Sequence, residues 1–191
     1  ASMFSGSAAH SGAVFLLDGS QINNSHDAME STYLYGESSW RQLGKSMDII
    51  GDANGDGIDE VIISASGTYA GNNTGMTYLM GVDEIFSSTF SLANAVYFHG
   101  FEAQASSGSL VKGIGDFNGD GYRDFVIKST SYVQIVYGMS NFATENSLAS
   151  ADATLTNNGH QWFAHRIIAA DDMNADGFDD FLFSNVQAGI N

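Results

Sequence analysis

Half of the acidic side chains of this 191-residue chain, 11 of 22, lie in three nine-residue segments that share one pattern. The pattern is D-x-N-x-D-G-Φ-x-[DE], where Φ is an apolar or aromatic residue. We name the segments loop 1 (52–60), loop 2 (116–124) and loop 3 (172–180). A single acidic segment is typical of a solvated surface loop, whereas three copies with one order and spacing indicate a binding site.

Oxygen donors at this spacing suit a hard divalent cation. Calcium takes six to eight oxygen ligands at about 2.3–2.6 Å, from carboxylates, amides, backbone carbonyls and water. Short side chains at positions 1, 3 and 5 let a tight loop surround the ion, and glycine at position 6 allows the sharp turn. Position 7 offers its backbone carbonyl, so its side chain is free to be apolar and to point into a core. The sequence therefore predicts three Ca²⁺ sites, with the ligands Asp52, Asn54, Asp56, the Ile58 carbonyl and Glu60; Asp116, Asn118, Asp120, the Tyr122 carbonyl and Asp124; and Asp172, Asn174, Asp176, the Phe178 carbonyl and Asp180.

The EF-hand is the competing interpretation, because its calcium loop begins with the same residues. It needs a bidentate Glu at loop position 12 and a helix on either side. Position 12 is Ile63, Ile127 or Phe183 here, and each loop runs into a short β-branched and aromatic segment that predicts a strand. The EF-hand is therefore excluded.

The loops recur at spacings of 64 and 56 residues, which indicates an internal repeat. We divide residues 1–191, taken as a single partial domain, into units 1–42 (incomplete), 43–106, 107–162 and 163–191 (incomplete). Four-stranded units of about sixty residues that cannot bury both faces alone are typical of propeller blades. The predicted strands are 12–17 and 32–35; 45–50, 61–64, 75–81 and 95–98; 109–114, 125–128, 132–138 and 153–155; and 164–168 and 181–184.

Two loops together with their following strands, 51–64 and 115–127, resemble FG-GAP repeats, the repeat of the integrin α-subunit β-propeller and of many bacterial secreted and surface proteins. The resemblance covers nearly the whole chain. It implies an all-β fold, a β-propeller of four-stranded FG-GAP-type blades with about three blades present, and calcium in the loop between the innermost and second strands. The sequence departs from the family pattern in three respects. The name-giving Phe-Gly is replaced by Leu43-Gly44 and Ser107-Gly108, and position 9 of loop 1 is Glu60 in place of Asp. Loop 3 has Asp171 where Gly usually precedes position 1, and Ala175 at position 4.

This family commonly has seven blades, so a three-bladed chain predicts a partial or split propeller. The terminal units are predicted to be half-blades whose unpaired strand edges invite pairing with another chain. Either another propeller segment completes the ring, or a second copy does so as a homodimer.

Composition excludes several classes of function. Six Lys and Arg against 22 acids give a formal net charge of −16, which does not suit a nucleic-acid partner. Without Cys there is no disulfide, Cys-based zinc site or thiol chemistry. The sequence has no run of 18 apolar residues, so no membrane-spanning helix is predicted. No signal peptide is visible, and a chain that starts at Ala1 is expected to be cut from a longer one.

Other constellations are weak. A near-dinucleotide glycine pattern, 113–119, is followed by no helix and falls in loop 2. His160 and His165 lack a third partner and are interpreted as structural or surface residues. Trp40 and Trp162 are candidates for stacking on sugars, although aromatic residues of a propeller more often pack between blades. No catalytic arrangement stands out, and we expect no enzyme.

The sequence thus favours a calcium-stabilised, non-enzymatic interaction or adhesion module of a secreted or cell-surface bacterial protein. Extracellular calcium modules work with dissociation constants of about 10⁻⁴–10⁻³ M. Two alternatives stay open, a carbohydrate-binding lectin-like propeller and an accessory propeller of an extracellular polysaccharide-acting enzyme. The ligand, protein or glycan, is not specified by these residues, because a fold does not fix a function.

Overall fold

The computed structural model describes residues 10–21, 32–36, 41–67, 74–85, 91–156 and 163–186. Within these ranges the chain is all-β, with thirteen strands and one short α-helix, α1 (Val82–Ile85). No helix in the same ranges is long and apolar enough to span a bilayer. The all-β class predicted from the sequence is therefore confirmed for the part of the chain that the structure describes.

The strands follow the predicted repeat, and each predicted strand is present within three residues of its expected ends. The first unit contributes β1 (Ala13–Leu16) and β2 (Thr32–Tyr35). The second contributes β3 (Leu43–Gly51), β4 (Glu60–Ala65), β5 (Met76–Gly81) and β6 (Val96–His99). The third contributes β7 (Leu110–Gly115), β8 (Asp124–Lys128), β9 (Tyr132–Val136), β10 (Glu145–Ser147) and β11 (Ala153–Thr156), and the last β12 (Ile167–Ala169) and β13 (Phe181–Phe183).

The two central units each form an antiparallel sheet whose strands follow chain order, β3-β4-β5-β6 and β7-β8-β9-β11. Ile62 lies opposite Leu79 in the first sheet, and Val126 lies opposite Ile135 in the second. The terminal units are antiparallel hairpins, β1–β2 and β12–β13. None of these sheets closes on itself within the described ranges.

One strand departs from the predicted repeat. β10 pairs in parallel with β6, with Asn146 opposite Phe98, so the third unit adds a fifth strand to the sheet of the second. Tyr97 N donates to the Thr144 carbonyl at 2.9 Å at this junction. The sequence does not predict β10, because Glu-Asn-Ser lacks the β-branched and aromatic residues that favour strands. Its pairing covers an edge of β6 that would otherwise present unpaired backbone groups.

Three apolar clusters lie between successive units. Val61 and Ile63 of β4 pack with Val14 of the first hairpin, whereas Ile62, on the opposite face of β4, packs with Phe125 of β8. The third cluster joins β8 and β9 to the hairpin β12–β13. Because both faces of β4 and β8 are buried, the central residues of these strands, 61–63 and 125–127, are apolar without polar alternation. Each fully buried aliphatic or aromatic side chain contributes about 1.5–3 kcal/mol.

The first strands of successive units are neighbours, since β7 contacts both β3 and β12. Asp48 of β3 accepts hydrogen bonds from Lys112 Nζ (3.0 Å) and Gly113 N (2.9 Å) of β7. Ser46 Oγ accepts a further bond from Val111 N at 3.0 Å. These contacts bring the three loops, which follow β3, β7 and β12, to one end of the stacked units.

Candidate functional site

Each loop connects the first strand of a unit to the second, β3 to β4, β7 to β8 and β12 to β13. Position 9 of loops 1 and 2 is already the first residue of the following strand, namely Glu60 and Asp124. These two side chains are 1% and 0% exposed, whereas positions 4 to 6 of every loop face solvent. A strand follows each loop, as predicted, and none of the three leads into a helix.

The aspartate at position 1 closes each loop by accepting two backbone hydrogen bonds. In loop 1, Asp52 Oδ1 accepts from Gly55 N at 2.6 Å and Oδ2 accepts from Gly57 N at 2.9 Å. In loops 2 and 3, Asp116 and Asp172 accept from the N–H groups of positions 5 and 6 at 2.9–3.1 Å. The loop therefore wraps around the position-1 carboxylate.

The glycine at position 6 is required by the backbone of this turn. Gly57, Gly121 and Gly177 have φ of 88°, 92° and 94°, in the left-handed region that a side chain disfavours. The sequence-based interpretation of position 6 is thereby confirmed. Ala175, at position 4 of loop 3, has φ of 61° and adopts the same left-handed region with a side chain present.

Positions 3 and 5 are linked in the same way in all three loops. Asn54 Oδ1 accepts from Asp56 N at 2.8 Å, and Asn54 Nδ2 donates to Asp56 Oδ2 at 3.0 Å. Asn118–Asp120 and Asn174–Asp176 repeat both bonds at 2.8–3.1 Å. The amide thus stands beside the position-5 carboxylate and neutralises part of its field.

Glu60, at position 9 of loop 1, lies beneath the loop. Its Oε2 accepts from Ala53 N at 2.6 Å, and its Oε1 accepts from Asn54 Nδ2 at 2.9 Å. Burial raises the pKa of Glu60 to about 7; the carboxylates of Asp56 and Asp52 add to the increase, while the hydrogen bonds from Ala53 and Asn54 oppose it. A cation placed among these groups would reverse the shift by favouring the charged carboxylate.

Asp124 is the corresponding residue of loop 2. It accepts bonds from Phe117 N (2.8 Å), Asn118 N (3.1 Å) and Gly138 N (2.8 Å). Burial raises its pKa to about 6, although these three N–H groups act in the opposite direction. In loop 3, Asp180 is less buried and accepts a single N–H within its loop at 3.1 Å.

In the described part of the chain, no three His, Asp or Glu side chains are arranged as a group that could hold a metal ion. The loops explain this finding, because their carboxylates accept hydrogen bonds from the backbone and are separated by an Asn amide instead of converging on one point. In each loop, the structure places the oxygen donors predicted from the sequence on the same short turn. To serve as metal ligands, these donors would need the amide at position 3 to turn its oxygen toward the carboxylates.

Successive loops are joined through position 8, which the sequence did not single out. Arg123 N donates to the Asp52 carbonyl at 3.1 Å, and Asp179 N donates to the Asp116 carbonyl at 3.0 Å. The Asp179 carboxylate also accepts from Asp116 N at 2.7 Å and from Arg123 Nη1 at 3.0 Å. No motif signals these bonds, because they connect residues about sixty positions apart in the chain.

In loops 2 and 3 the side chain at position 7 lies across the preceding loop and does not enter a core, contrary to the expectation from sequence. A Cβ added at Gly55 would lie 2.6 Å from the Tyr122 ring, and one at Gly119 would lie 2.8 Å from the Phe178 ring. Phe178 is 47% exposed. Glycine at position 4 thus makes room for the aromatic ring of the next loop.

The remaining sequence candidates are not gathered at the loops. His165 is exposed, and its backbone N–H donates to the Ser184 carbonyl at 2.9 Å. His160, Trp40 and Trp162 lie outside the described residues. Beside loop 1 the structure has a cavity of about 350 Å³, whose lining includes Asp56 and Asn141.

No protein-family model matches this sequence, and no curated protein matches it significantly. The resemblance to FG-GAP repeats therefore rests on the three loops and on the strand order of the units.

Proposed function

We propose that each loop binds one Ca²⁺ through the side chains of positions 1, 3, 5 and 9 and the carbonyl of position 7. The observation that carries the proposal is the repetition, in all three loops, of the hydrogen bond from position 6 to position 1 and of the paired bonds between positions 3 and 5. The ligands would be Asp52, Asn54, Asp56, Ile58 and Glu60 in loop 1; Asp116, Asn118, Asp120, Tyr122 and Asp124 in loop 2; and Asp172, Asn174, Asp176, Phe178 and Asp180 in loop 3.

The donor chemistry supports calcium in particular. Each loop offers only oxygen ligands once the Asn amide turns, and oxygen donors in a flexible loop suit Ca²⁺ better than zinc or copper. Asn54 Nδ2, which donates to both Asp56 and Glu60, is a weak substitute for a positive charge between two carboxylates. Three divalent ions would contribute +6 and reduce the formal charge from −16 to −10.

At the level of architecture, the proposal is a partial β-propeller of FG-GAP-type blades, with two complete blades and two half-blades. Three features support it: the four-strand order of the central units, the neighbouring first strands β3, β7 and β12, and the apolar clusters between units. Calcium would then act as a structural element, since the backbone of each loop is hydrogen-bonded to the next loop. A loop ordered by its ion would hold its neighbour in place.

The function we infer from this arrangement is a calcium-stabilised interaction or adhesion module, without enzymatic activity, of a secreted or cell-surface bacterial protein. The acidic composition and the exposed loops support a setting in which calcium is abundant, as it is outside the cell. Loops with carboxylate and amide donors at a blade end are suited to shaping a binding surface. The bound protein or glycan is left open by this proposal.

Calcium titration of the metal-stripped chain tests the proposal. A ligand at 100 times its dissociation constant stabilises the folded state by about 2.7 kcal/mol per independent site. Three sites should therefore raise the melting temperature steeply with calcium, and calorimetry should give three ions per chain. A melting temperature that chelator leaves unchanged, after confirmed removal of metal, would refute calcium binding. Magnesium at the same concentration is the control, because its smaller, octahedral shell fits these loops less well.

A carbohydrate-binding function is the second candidate, favoured by the cavity beside loop 1. The cavity brings the carboxylates of Asp83 and Glu84 and the amide of Asn141 next to Asp56 and Glu60. Such polar groups around a calcium loop could accept and donate hydrogen bonds to sugar hydroxyls. Glycan-array binding that requires calcium and is lost in Asn141→Ala would support it, whereas binding unaffected by this variant would exclude this cavity.

A further inference from the structure

The two terminal hairpins correspond to different parts of a complete four-stranded unit. The hydrogen bond from Gly36 N to the Gly12 carbonyl, 3.0 Å, repeats the bond from Gly100 N to the Gly75 carbonyl, 3.1 Å, at the start of the third strand of a complete unit. β1 and β2 are therefore a third and a fourth strand. β12 and β13 flank loop 3 and are a first and a second strand. Among the described strands, β1 pairs only with β2, and β13 pairs only with β12.

At the amino-terminal end of the stack, the described residues include no first and second strand beside β1, and an apolar slot lies at that place. Phe15 and Leu17 of the first unit are 37% and 50% exposed, and Met47 and Ile49 of β3 are 52% and 64% exposed. Phe15, Met47 and Ile49 border a cavity of about 450 Å³ whose other walls include Val61 of β4. These three exposed side chains share one apolar surface of a kind that soluble monomers rarely retain.

The carboxyl-terminal end presents the matching surface. Ile168 and Leu182 are cross-strand neighbours on the outer face of β12–β13, and they are 57% and 52% exposed. Ile62 and Val126, which occupy the place of Leu182 in the complete sheets, are both 0% exposed, because the next unit covers them. The hairpin therefore has the sequence of an internal element and lacks its covering partner in the described structure.

We propose that the hairpin β12–β13 of one copy inserts into the amino-terminal slot of a second copy, with β13 antiparallel to β1. The register follows from the complete sheet, in which Val61 lies opposite Met80, five residues after Gly75. Gly12, just before β1, corresponds to Gly75, and Phe181 corresponds to Val61. Counting five residues from Gly12 therefore places Leu17 of one copy opposite Phe181 of the other. Two such joints relate the copies by a two-fold axis and give four complete and two joined sheets, within the range of four to eight blades of closed propellers.

The loops at this joint have compatible sizes. Loop 1 of one copy would follow loop 3 of the other, which places Ile58 over Ala175. Loop 1 has an aliphatic residue at position 7 where the other two loops have an aromatic one, and loop 3 has Ala at position 4 where the others have Gly. The smaller residue at position 7 thus meets the larger residue at position 4.

The same joint contains one unfavourable pair. Asp59 at position 8 of loop 1 would face Asp171, which stands where the first two loops have a glycine before position 1. Both side chains are exposed in the single copy. Their repulsion weakens the joint, so Asp171→Gly should tighten the association.

Sedimentation equilibrium of the 191-residue chain, in calcium and separately in chelator, is the primary test. A dimer in either solution supports the proposed joint. A dimer in chelator would support the joint even if the chain were shown not to bind calcium. A monomer at tens of micromolar in both solutions would overturn it. Ile49→Asp and Leu182→Asp should each weaken the dimer at least about tenfold, because each places an unpaired charge in the joint. Met139→Asp, at a side chain 41% exposed on neither surface, is the matched control.

Mixing the two variants separates this joint from other modes of dimerisation. Ile49→Asp retains an intact hairpin and Leu182→Asp retains an intact slot, so an equimolar mixture should form heterodimers through one intact joint. A dimer weakened by only one of the two variants would indicate that one face pairs with itself, and would overturn the proposal. Tighter association of Asp171→Gly, by at least about threefold, would support the loop arrangement, and weaker association would contradict it.

Discussion

Replacing Asp124 by Asn exchanges one oxygen atom for an NH₂ group at a position that is 0% exposed. Asp124 Oδ2 accepts from Phe117 N and Asn118 N at 2.8 and 3.1 Å, and Oδ1 accepts from Gly138 N at 2.8 Å. The side-chain amide has one accepting oxygen. Whichever way it turns, its NH₂ group faces at least one backbone N–H, and that donor loses its partner.

The cost follows from these contacts. A buried donor left unpaired costs about 1–3 kcal/mol, and the bonds that remain lose the extra strength of a charged acceptor. The neutral amide removes the ionisation cost that burial imposes on this carboxylate, which offsets part of the loss. We therefore expect Asp124→Asn to lower the free energy of unfolding by about 1–3 kcal/mol. In a chain of this length, each kcal/mol corresponds to about 2–4 °C, so the melting temperature should fall by about 2–12 °C.

Asp180→Asn is the matched control, because it makes the same exchange at the same loop position. Asp180 is only partly buried and accepts one bond within its loop, so its replacement should cost less than about 1 kcal/mol. Urea unfolding of both variants in chelator measures the difference with no metal bound. Equal losses for the two variants, or a loss below about 1 kcal/mol for Asp124→Asn, would refute the structural reasoning.

Three further experiments on variants test the loops. Asp120→Ala should weaken calcium binding to loop 2 more than Asp124→Glu does. The carboxylate at position 5 has no substitute, whereas Glu60 of loop 1 shows that position 9 accepts a longer carboxylate. Calorimetric titration compares the two affinities, and the reverse order would mean that the ligands are assigned wrongly. Asn54→Asp replaces the hydrogen-bond donor between Asp56 and Glu60 by a negative charge. It should lower the free energy of unfolding in chelator by about 1 kcal/mol, and calcium should restore the loss. Urea unfolding in the two solutions measures both effects. Gly119→Ala should cost up to about 1 kcal/mol more than Gly121→Ala in thermal unfolding, because both have positive φ but only the Cβ at 119 meets the ring of the half-exposed Phe178. Equal losses would show that the ring contact adds nothing.

Much of the fold can be predicted from the sequence, because the positions of strands and turns depend on neighbouring residues. The strands that follow each loop contain runs of β-branched and aromatic residues, as at 61–63, and the glycine at position 6 marks a turn that the positive φ values in the structure confirm. The order of strands within a unit follows as well, because chain neighbours pair through short connections. β10 was missed, since a polar tripeptide becomes a strand only where a neighbouring edge is available.

The candidate ligands came from spacing alone, but their environment came from tertiary structure. Sequence gives Glu60, Asp124 and Asp180 one role at position 9, whereas burial makes the first two costly to ionise and leaves Asp180 partly exposed. The contacts between loops were also out of reach, because Arg123 meets Asp52 only after two sheets have packed.

The sequence by itself determined where the loops and strands lie and which oxygen donors share a loop, because those properties depend on residues within about ten positions of one another. Tertiary structure alone decided that Tyr122 and Phe178 cover the preceding loop and that Ile49 and Leu182 stay exposed. The reason is physical. Side chains on both faces of a strand are equally apolar in the sequence, and only the packing of one unit on the next shows which face is covered.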